Sequence, residues 1–254
     1  MGCCASKGEN SKANRVARWR STGITFPNEV FDLDRSVRTL DLTHNKLVDI
    51  PVEISKLINM QRLVLAHNLI EHLPINLGKL KSLKALTLDQ NRVTTLPDEL
   101  GQLVRLERLS ISGNLLTCLP DTIGSLRNLV LLNVSSNKLK SLPESIGSCF
   151  SMEELQANDN LIDELPSSVC SLIHLKSLNL DNNNIKQMEG FQEFEARRRK
   201  KFDKQIDSNV MINSKGLDEG ESDAGAVSAA RRLTPIELLC FSTLRKIQAL
   251  SHME

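Results

Sequence analysis

The sequence begins with a glycine and two cysteines at positions that suit lipid attachment. It reads MGCCASK, so removal of Met1 would expose Gly2, and Ser6 completes the M-G-x-x-x-S pattern of N-myristoylation. A single myristoyl chain binds a bilayer only marginally, with an association constant of about 10⁴ M⁻¹, so stable anchoring requires a second signal. Cys3 and Cys4 provide it as S-palmitoylation sites at the bilayer surface. The pattern therefore predicts a membrane anchor made of two kinds of acyl chain.

Basic residues that follow the two cysteines add an electrostatic attraction toward anionic lipid. They are Lys7, Lys12, Arg15, Arg18 and Arg20. Trp19 lies among them and suits a membrane interface. The alternative is a free N-terminus with two unmodified cysteines, but three independent signals within the first 20 residues favour lipid anchoring. We therefore expect the chain at the cytoplasmic face of the plasma membrane or of an endomembrane.

The overall composition argues against several classes of protein. Lys and Arg number 32 and Asp and Glu 31, a balance that does not indicate a surface built for nucleic acid. No stretch approaches the roughly 18 apolar residues of a membrane-spanning helix, and the N-terminal region lacks the apolar core of a secretion signal. The sequence contains no phosphate-binding glycine loop, HExxH motif or nucleophile elbow. We therefore expect no enzyme activity, no cofactor and no small-molecule substrate.

An internal repeat of 23 residues dominates the rest of the chain. Asparagines recur at this interval, and prolines recur at the same interval in the segments that follow them. Each asparagine is the N of the pattern L-x-x-L-x-L-x-x-N-x-L. Seven copies match this pattern with conservative substitutions. The asparagines are Asn45, Asn68, Asn91, Asn114, Asn137, Asn160 and Asn183. The prolines are Pro51, Pro74, Pro97, Pro120, Pro143 and Pro166.

This spacing predicts an α/β solenoid with a right-handed coil and a parallel sheet on its concave side. The L-x-L segment forms a strand whose alternate residues point inward, and the strands of successive repeats stack about 4.8 Å apart. Each asparagine lies where the chain turns out of its strand. There its side-chain amide is expected to satisfy unpaired backbone groups and to form a ladder with its neighbours. The following x-x-I-G-x-L segment forms the return arc on the opposite wall.

Both ends depart from the pattern, and the chain divides into five predicted segments. Residues 1–23 form a lipidated, disordered basic arm, and residues 24–187 form the repeat domain. This domain consists of an N-terminal half-repeat without a proper strand and seven repeats, the last truncated because Glu189 stands where a proline is due. The other segments are a basic capping helix at 188–207, a disordered linker at 208–233 and a short amphipathic helix at 234–254. The basic helix also suits a second membrane contact or a nuclear localisation signal.

The repeat form LPxxIGxLxxLxxLxLxxN resembles that of the Ras-group leucine-rich-repeat proteins, including the plant intracellular Ras-group-related set, over about residues 24–207. The basic segment FEARRRKKFDKQ and the small size are similar to the leucine-rich-repeat-containing protein 57 family. The resemblance implies a non-catalytic intracellular scaffold or adaptor for another protein, with small-GTPase signalling as the setting. The partner stays open, because this scaffold serves many functions. The alternative is a regulatory subunit of a protein phosphatase or of another enzyme.

The exposed positions of the predicted strands form the expected partner-binding face. The first four strands are net basic and the sixth is acidic, a gradient that would orient a partner of matching charge. The plain alternative is that these positions are polar because water touches them. The charged residues assigned to this face are Arg38, Arg62, Lys84, Arg108, Glu153, Glu154, Asp159 and Asp181.

Two polar groups have the residue types of metal ligands but not the number or spacing. His44 and His67 occupy equivalent positions in adjacent repeats, about 5 Å apart, whereas zinc sites use three or four ligands. The Asn and Asp residues at 158–159 and 181–182 lack the regular offsets of a calcium loop. We therefore expect no metal site.

Overall fold

The computed structural model describes residues 15–18, 24–32 and 37–185. Within these residues, no helix combines the length and the apolar character needed to cross a bilayer. Several predicted features lie outside the described residues: the acylation sites Gly2, Cys3 and Cys4, the basic residues Lys7, Lys12 and Arg20, and the segments 188–207, 208–233 and 234–254.

Among the described residues, eight short strands form one open parallel sheet, in which every strand pairs with the next one along the chain. The register advances by one repeat per strand, so that Leu63 lies beside Leu86 and Leu86 beside Leu109. The prediction of a repeat solenoid with a parallel sheet is therefore confirmed. The strands are β1 (Arg15–Arg18), β2 (Val37–Asp41), β3 (Arg62–Val64), β4 (Ala85–Thr87), β5 (Arg108–Ser110), β6 (Leu131–Asn133), β7 (Glu154–Gln156) and β8 (Ser177–Asn179).

Side chains along each strand alternate between the two faces of the sheet, and this alternation determines which of them enter the core. The leucine at the centre of each strand from β3 to β8 is buried, whereas the residues on either side of it face solvent at least in part. The buried residues form one continuous hydrophobic cluster from Phe26 to Ile185. Because one repeat buries too little apolar surface to fold alone, the stability of this cluster depends on contacts between neighbouring repeats.

The return arcs contain single turns of 3₁₀ helix. Each of them follows a proline, and the φ of the six prolines from Pro51 to Pro166 lies between −65° and −72°. Proline suits this position because its φ is fixed near that value and no backbone N–H is needed there. Its carbonyl accepts a hydrogen bond from three residues onward, as in Leu100 N–H to Pro97 O at 3.0 Å. The 3₁₀ helices are Asn28–Asp32, Val52–Lys56, Ile75–Lys79, Asp98–Gln102, Asp121–Ser125, Glu144–Ser148 and Ser167–Ser171.

The repeat asparagines join the turns of neighbouring repeats in a ladder of buried hydrogen bonds. Asn114 is typical: its Nδ2 donates to the carbonyl oxygen of Ile111 in its own repeat at 3.2 Å and to that of Leu88 in the preceding repeat at 2.9 Å. Its Oδ1 accepts the N–H of Val93 at 3.0 Å. The same pattern recurs at Asn68, Asn91, Asn137, Asn160 and Asn183. Each amide therefore satisfies backbone groups on two repeats at once.

The N-terminal half-repeat differs from the sequence prediction. We expected the half-repeat to have no proper strand, because the residues before it lack the repeat leucines, and this expectation is wrong: Arg15–Arg18 form β1, parallel to β2. Strand pairing uses backbone groups, which any extended segment provides, and Ala17 packs against the core where a leucine would otherwise stand. Phe26 and Val30 are buried at the same end of the core. The sheet therefore begins within the segment predicted as the arm.

Candidate protein-binding face

The exposed side of the sheet carries two rows of side chains that flank the buried leucines, and together they are called the concave face. The central row comes directly before each buried leucine and consists of Thr39, Arg62, Ala85, Arg108, Leu131, Glu154 and Ser177. The outer row comes directly after it and consists of Asp41, Val64, Thr87, Ser110, Asn133, Gln156 and Asn179.

Charge in the central row is confined to alternate strands. Arg62, Arg108 and Glu154 stand on β3, β5 and β7, and the strands between them carry uncharged residues in this row. Because neighbouring strands lie about 4.8 Å apart, consecutive charges in this row are about 10 Å apart. None of the salt bridges between described residues involves these three side chains. Two guanidinium groups and one carboxylate are thus presented to solvent in a line.

A third row, one residue before the central row, is called the entry row: Arg38, Gln61, Lys84, Glu107, Val130, Glu153 and Lys176. Lys84 Nζ lies 2.8 Å from Glu107 Oε1, and Lys176 Nζ lies 2.8 Å from Glu153 Oε2. These two ion pairs offset the charges of Lys84 and Glu153, which the sequence analysis assigned to a basic and an acidic region. The charge gradient along the sheet therefore depends chiefly on the central row.

Two basic residues on the first two strands, Arg18 and Arg38, interact with other residues of the same chain. Arg38 Nη1 donates a hydrogen bond to the carbonyl oxygen of Asn59 at 3.3 Å. Arg18, predicted to attract lipid, lies on β1, where its Nε is 3.4 Å from Asp41 Oδ2. The side chain of Arg18 remains largely exposed, so this ion pair contributes little stability. Arg15 begins the same strand.

An open depression of about 500 Å³ lies beside the entry row at β4 to β6. Its rim includes the ion-paired Lys84 and Glu107, and Val130 contributes an apolar surface. Val130 is a short side chain in a row otherwise occupied by longer polar residues, which leaves room beside it. The depression would accept one side chain of a partner bound across the strands. Its remaining lining residues are Arg105, Asn128 and Ser151.

Polar groups of the outer row and of the turns that follow it form hydrogen bonds with one another. Ser110 Oγ donates to Asp89 Oδ1 at 2.7 Å, and the backbone N–H of Ser112 donates to the same oxygen at 2.8 Å. Asp159 accepts hydrogen bonds from Asn158 at 2.6 Å and from Asn182 at 2.7 Å. Asp181 is the repeat equivalent of Asn158, and its backbone N–H donates to Asn179 Oδ1 at 3.1 Å. The carboxylate of Asp159 is thus held by amides in the described structure, which orders this edge of the face.

The two predicted neighbouring histidines stack on each other. The rings of His44 and His67 have centroids 4.3 Å apart and an interplanar angle of 15°. Both residues have φ near +55°, the left-handed conformation shared by this position in every repeat. Among the described residues, no group of three or more His, Cys, Asp or Glu side chains has the arrangement of a metal site.

The described cysteines differ in exposure. Cys118 is exposed, Cys170 is half-buried and Cys149 is buried. Cys149 stands where the other repeats have leucine, and its Sγ donates to the carbonyl oxygen of Ile123 at 3.3 Å. Desolvation by burial raises the pKa of the Cys149 thiol to about 11, so the thiol is neutral at physiological pH.

Family models match most of the repeat domain. A model described as "Leucine rich repeat" matches residues 35–93, one described as "Leucine-rich repeat region" matches 75–160, and a further "Leucine Rich Repeat" matches 174–194. The chain belongs to the leucine-rich-repeat proteins. This leucine-rich-repeat protein is also 53% identical to rice (Oryza sativa subsp. japonica) Plant intracellular Ras-group-related LRR protein 7 over 73 residues, which cover 25% of this chain and 28% of that protein. The resemblance to the Ras-group-related family is therefore confirmed.

Solved structures of other leucine-rich-repeat proteins share the fold. An LRR protein of Leptospira interrogans is 35% identical, with a TM-score of 0.56, and the match covers 69% of this chain and 49% of that one. The LRR ectodomain of the plant membrane receptor kinase GASSHO1/SCHENGEN3 from Arabidopsis thaliana, in complex with CASPARIAN STRIP INTEGRITY FACTOR 2, is 32% identical. Its TM-score is 0.57, and the match covers 65% of this chain and 22% of the ectodomain. The chain spans less than half the length of each of these relatives.

Proposed function

We propose that this leucine-rich-repeat protein is a non-catalytic scaffold or adaptor that binds a protein partner through its concave face. The observation that carries the proposal is the central row, in which Arg62, Arg108 and Glu154 are presented about 10 Å apart. None of the three takes part in a salt bridge between described residues. Charges arranged in this way favour a partner with the complementary order of charges, which raises both the association rate and the specificity.

The chemistry of this row specifies the partner's surface. Carboxylates opposite Arg62 and Arg108 would form bidentate hydrogen bonds with the guanidinium groups, and a basic residue opposite Glu154 would complete the match. Ala85 and Leu131 lie between these charges on β4 and β6 and provide apolar contacts. The relative GASSHO1/SCHENGEN3, whose ectodomain was solved in complex with CASPARIAN STRIP INTEGRITY FACTOR 2, supports a protein as the ligand class.

The proposed location is the cytoplasmic side of a membrane. The motif at Gly2, Cys3 and Cys4 supports acylation, and the basic residues that follow support attraction to anionic lipid. Small-GTPase signalling is the proposed setting, on the strength of the Ras-group-related name of the rice relative. Anchoring would raise the local concentration of the concave face near partners on the same membrane.

The proposal is tested by reversing the two arginines of the central row. The full chain, fused to a proximity-labelling enzyme, carries Arg62→Glu with Arg108→Glu, and the matched control carries Lys138→Glu with Lys140→Glu in the exposed turns outside the concave face. The partners labelled by the unaltered chain should be lost with the first pair and retained with the second. Equal loss or equal retention would contradict the proposal. Enrichment of a phosphatase catalytic subunit would favour the regulatory-subunit alternative.

A further inference from the structure

A row of exposed turn residues, called the turn ridge, lies at the edge where the chain enters the strands. It consists of Ile58, Lys81, Val104, Arg127, Phe150 and Ile173, spaced 23 residues apart. The exposed fractions of its apolar members are 53% for Ile58, 51% for Val104, 49% for Phe150 and 62% for Ile173. Each ridge residue directly follows a Leu or Cys of the core. That core residue is buried in every case but one, because Leu57, which precedes Ile58, is half-buried. The backbone therefore holds the row in place.

Apolar and basic side chains alternate along the first five positions of the ridge. Lys81 and Arg127 separate Ile58, Val104 and Phe150 from one another. At the strand spacing of about 4.8 Å per repeat, the six residues extend over about 24 Å. Bulky apolar groups with about half or more of their surface exposed indicate contact with something other than water when they recur in one row.

The turns that carry the turn ridge contain no carboxylates, and Glu107 and Glu153 of the adjoining entry row are each paired with a lysine. The segments 55–60, 78–83, 101–106, 124–129, 147–152 and 170–175 contain no Asp or Glu. Their basic residues are Lys56, Lys79, Lys81, Arg105 and Arg127. None of these takes part in a salt bridge between described residues, and Lys81 Nζ donates to the neutral Gln102 side chain at 3.0 Å and to its backbone oxygen at 3.1 Å. These turns are therefore positive from Lys56 to Arg127, and the last two segments carry neither Lys, Arg, Asp nor Glu.

The opposite flank, where the chain leaves the strands, provides an internal comparison. Its own row also alternates basic residues with leucines: Lys46, Leu69, Arg92, Leu115, Lys138 and Leu161. Within the same span, from three residues before each position of the row to two after it, that flank carries carboxylates at Glu71, Asp89, Asp159 and Asp163. Alternation is thus shared by both flanks, whereas the absence of carboxylates distinguishes the turns of the ridge.

We propose that the turn ridge rests on the surface of an anionic bilayer. Its apolar side chains would enter the boundary between headgroups and acyl chains, and its lysine and arginine heads would contact lipid phosphates. A protein partner suits the row less well, because the centre of a protein interface is a contiguous apolar patch depleted of charge, and here a cation interrupts the apolar residues. This inference rests on the proposed membrane attachment for its setting, but a different set of residues carries it.

The arrangement would orient the solenoid on the membrane. With the ridge on the lipid surface, the stacking direction of the repeats lies along the bilayer, and the concave face stands beside the membrane rather than against it. The central row would then remain open to a partner that is itself bound to the same membrane. The acyl chains hold the protein near the bilayer, and the ridge determines which flank contacts it.

A charge-removal experiment tests the proposal on the full chain carrying Gly2→Ala, which excludes myristoylation. Sedimentation is measured with phosphatidylcholine vesicles that contain or lack phosphatidylserine. The ridge double variant carries Lys81→Gln and Arg127→Gln, and the control double variant carries Lys46→Gln and Lys138→Gln on the opposite flank. Each basic residue near an anionic surface contributes about 1 kcal/mol, or roughly fivefold in affinity, so the first pair should weaken binding about 25-fold. The second pair should leave binding essentially unchanged. Equal binding by both pairs, or no sedimentation of the parent chain with phosphatidylserine vesicles, would overturn the proposal.

A second measurement reports the contact directly. In a Trp19→Phe background, Phe150→Trp introduces a fluorescent probe on the ridge, and Leu161→Trp introduces one on the opposite flank at a site of nearly equal exposure, 47% against 49%. Vesicles with brominated lipid should quench and blue-shift the emission of the first variant alone. Equal quenching of the two, or none in a chain that sediments with the vesicles, would refute the ridge contact. Either result would leave acylation at Gly2 and partner binding at the concave face unaffected.

Discussion

A Cβ atom added to Gly101 would lie 2.5 Å from the carbonyl oxygen of Thr122 and 2.7 Å from its Cβ in the next repeat. The glycines at 78, 124 and 147 meet the corresponding residue of the following repeat in the same way. Consecutive return arcs therefore stack so closely that these positions have no room for a side chain. The glycine of x-x-I-G-x-L sets the spacing of the convex side.

Replacing one of these glycines should destabilise the solenoid. Gly101→Ala forces a methyl group against the backbone of Thr122, and overpacking of this kind costs about 1–3 kcal/mol. Urea denaturation followed by circular dichroism should show this loss in the free energy of unfolding.

Gly113 provides the matched control for that prediction. Its φ is +66°, yet other repeats place non-glycine residues at the same position with φ near +55°, including Asn182. An added side chain there meets only the terminal amide of Gln90, which can move aside. Gly113→Asn should cost less than about 1 kcal/mol, since Asn tolerates the left-handed conformation. A loss as large as that of Gly101→Ala would contradict the stacking explanation.

The asparagine ladder should be among the most sensitive parts of the fold. Asn114 is 5% exposed, and Asn114→Ala would leave the buried N–H of Val93 without its partner, whereas the carbonyl oxygen of Leu88 would keep its hydrogen bond from Asn91 Nδ2 at 2.9 Å. An unsatisfied buried group costs about 1–3 kcal/mol, so we expect a loss of this size in the free energy of unfolding. Asn128→Ala is the control, because Asn128 is exposed and donates a single hydrogen bond to Val104 O, at 2.7 Å. A loss of more than about 0.5 kcal/mol at Asn128 would argue against a special role for the ladder.

Burial of the Cys149 thiol predicts a dependence of stability on alkaline pH. Its pKa rises from 9.0 to about 11 in the folded chain, so the folded state holds the proton more tightly than the unfolded state. This contribution is fully present below pH 9.0 and is lost as the pH rises toward 11. The stability of the wild-type chain should fall more steeply over that range than the stability of Cys149→Ala. Parallel pH profiles would show that the thiol does not titrate in this way.

The acyl anchor makes a separate prediction in cells. With alkyne-tagged myristate and palmitate, Gly2→Ala should abolish both labels, because palmitoylation requires prior residence at the membrane. Cys3→Ser with Cys4→Ser should abolish the palmitate label alone and leave a weakly bound, myristoylated chain. Myristate incorporation that persists in the Gly2→Ala variant would refute the assignment of Gly2 as the acceptor.

Most of the fold was predictable because one spacing determines many contacts. A buried leucine at a fixed offset from Asn91 implies both a strand and its register with the strands at Leu63 and Leu109. β1 was missed because edge strands pair through the backbone, and Val16 and Ala17 carry no repeat signature. Its recognition would have required a search for any extended segment one repeat before β2.

The candidate site was less predictable because it depends on side-chain partners. The equivalent positions of Lys84 and Glu107 follow from the repeat, but the 2.8 Å ion pair depends on side-chain conformations that a sequence pattern does not specify. The depression beside Val130 was missed for the same reason. Comparison of every second repeat would have shown that Arg62 and Arg108 occupy equivalent positions and that the strand between them has an uncharged residue there.

The central claim is that a partner binds across the concave face, and photo-crosslinking tests it most directly. Ala85 lies between Arg62 and Arg108 in the central row, so Ala85→p-benzoylphenylalanine should crosslink the partner in cells. The same substitution at Asp121, exposed in a 3₁₀ helix of the convex side, is the control and should yield no such product. A partner crosslinked from Asp121 and not from Ala85 would contradict the account.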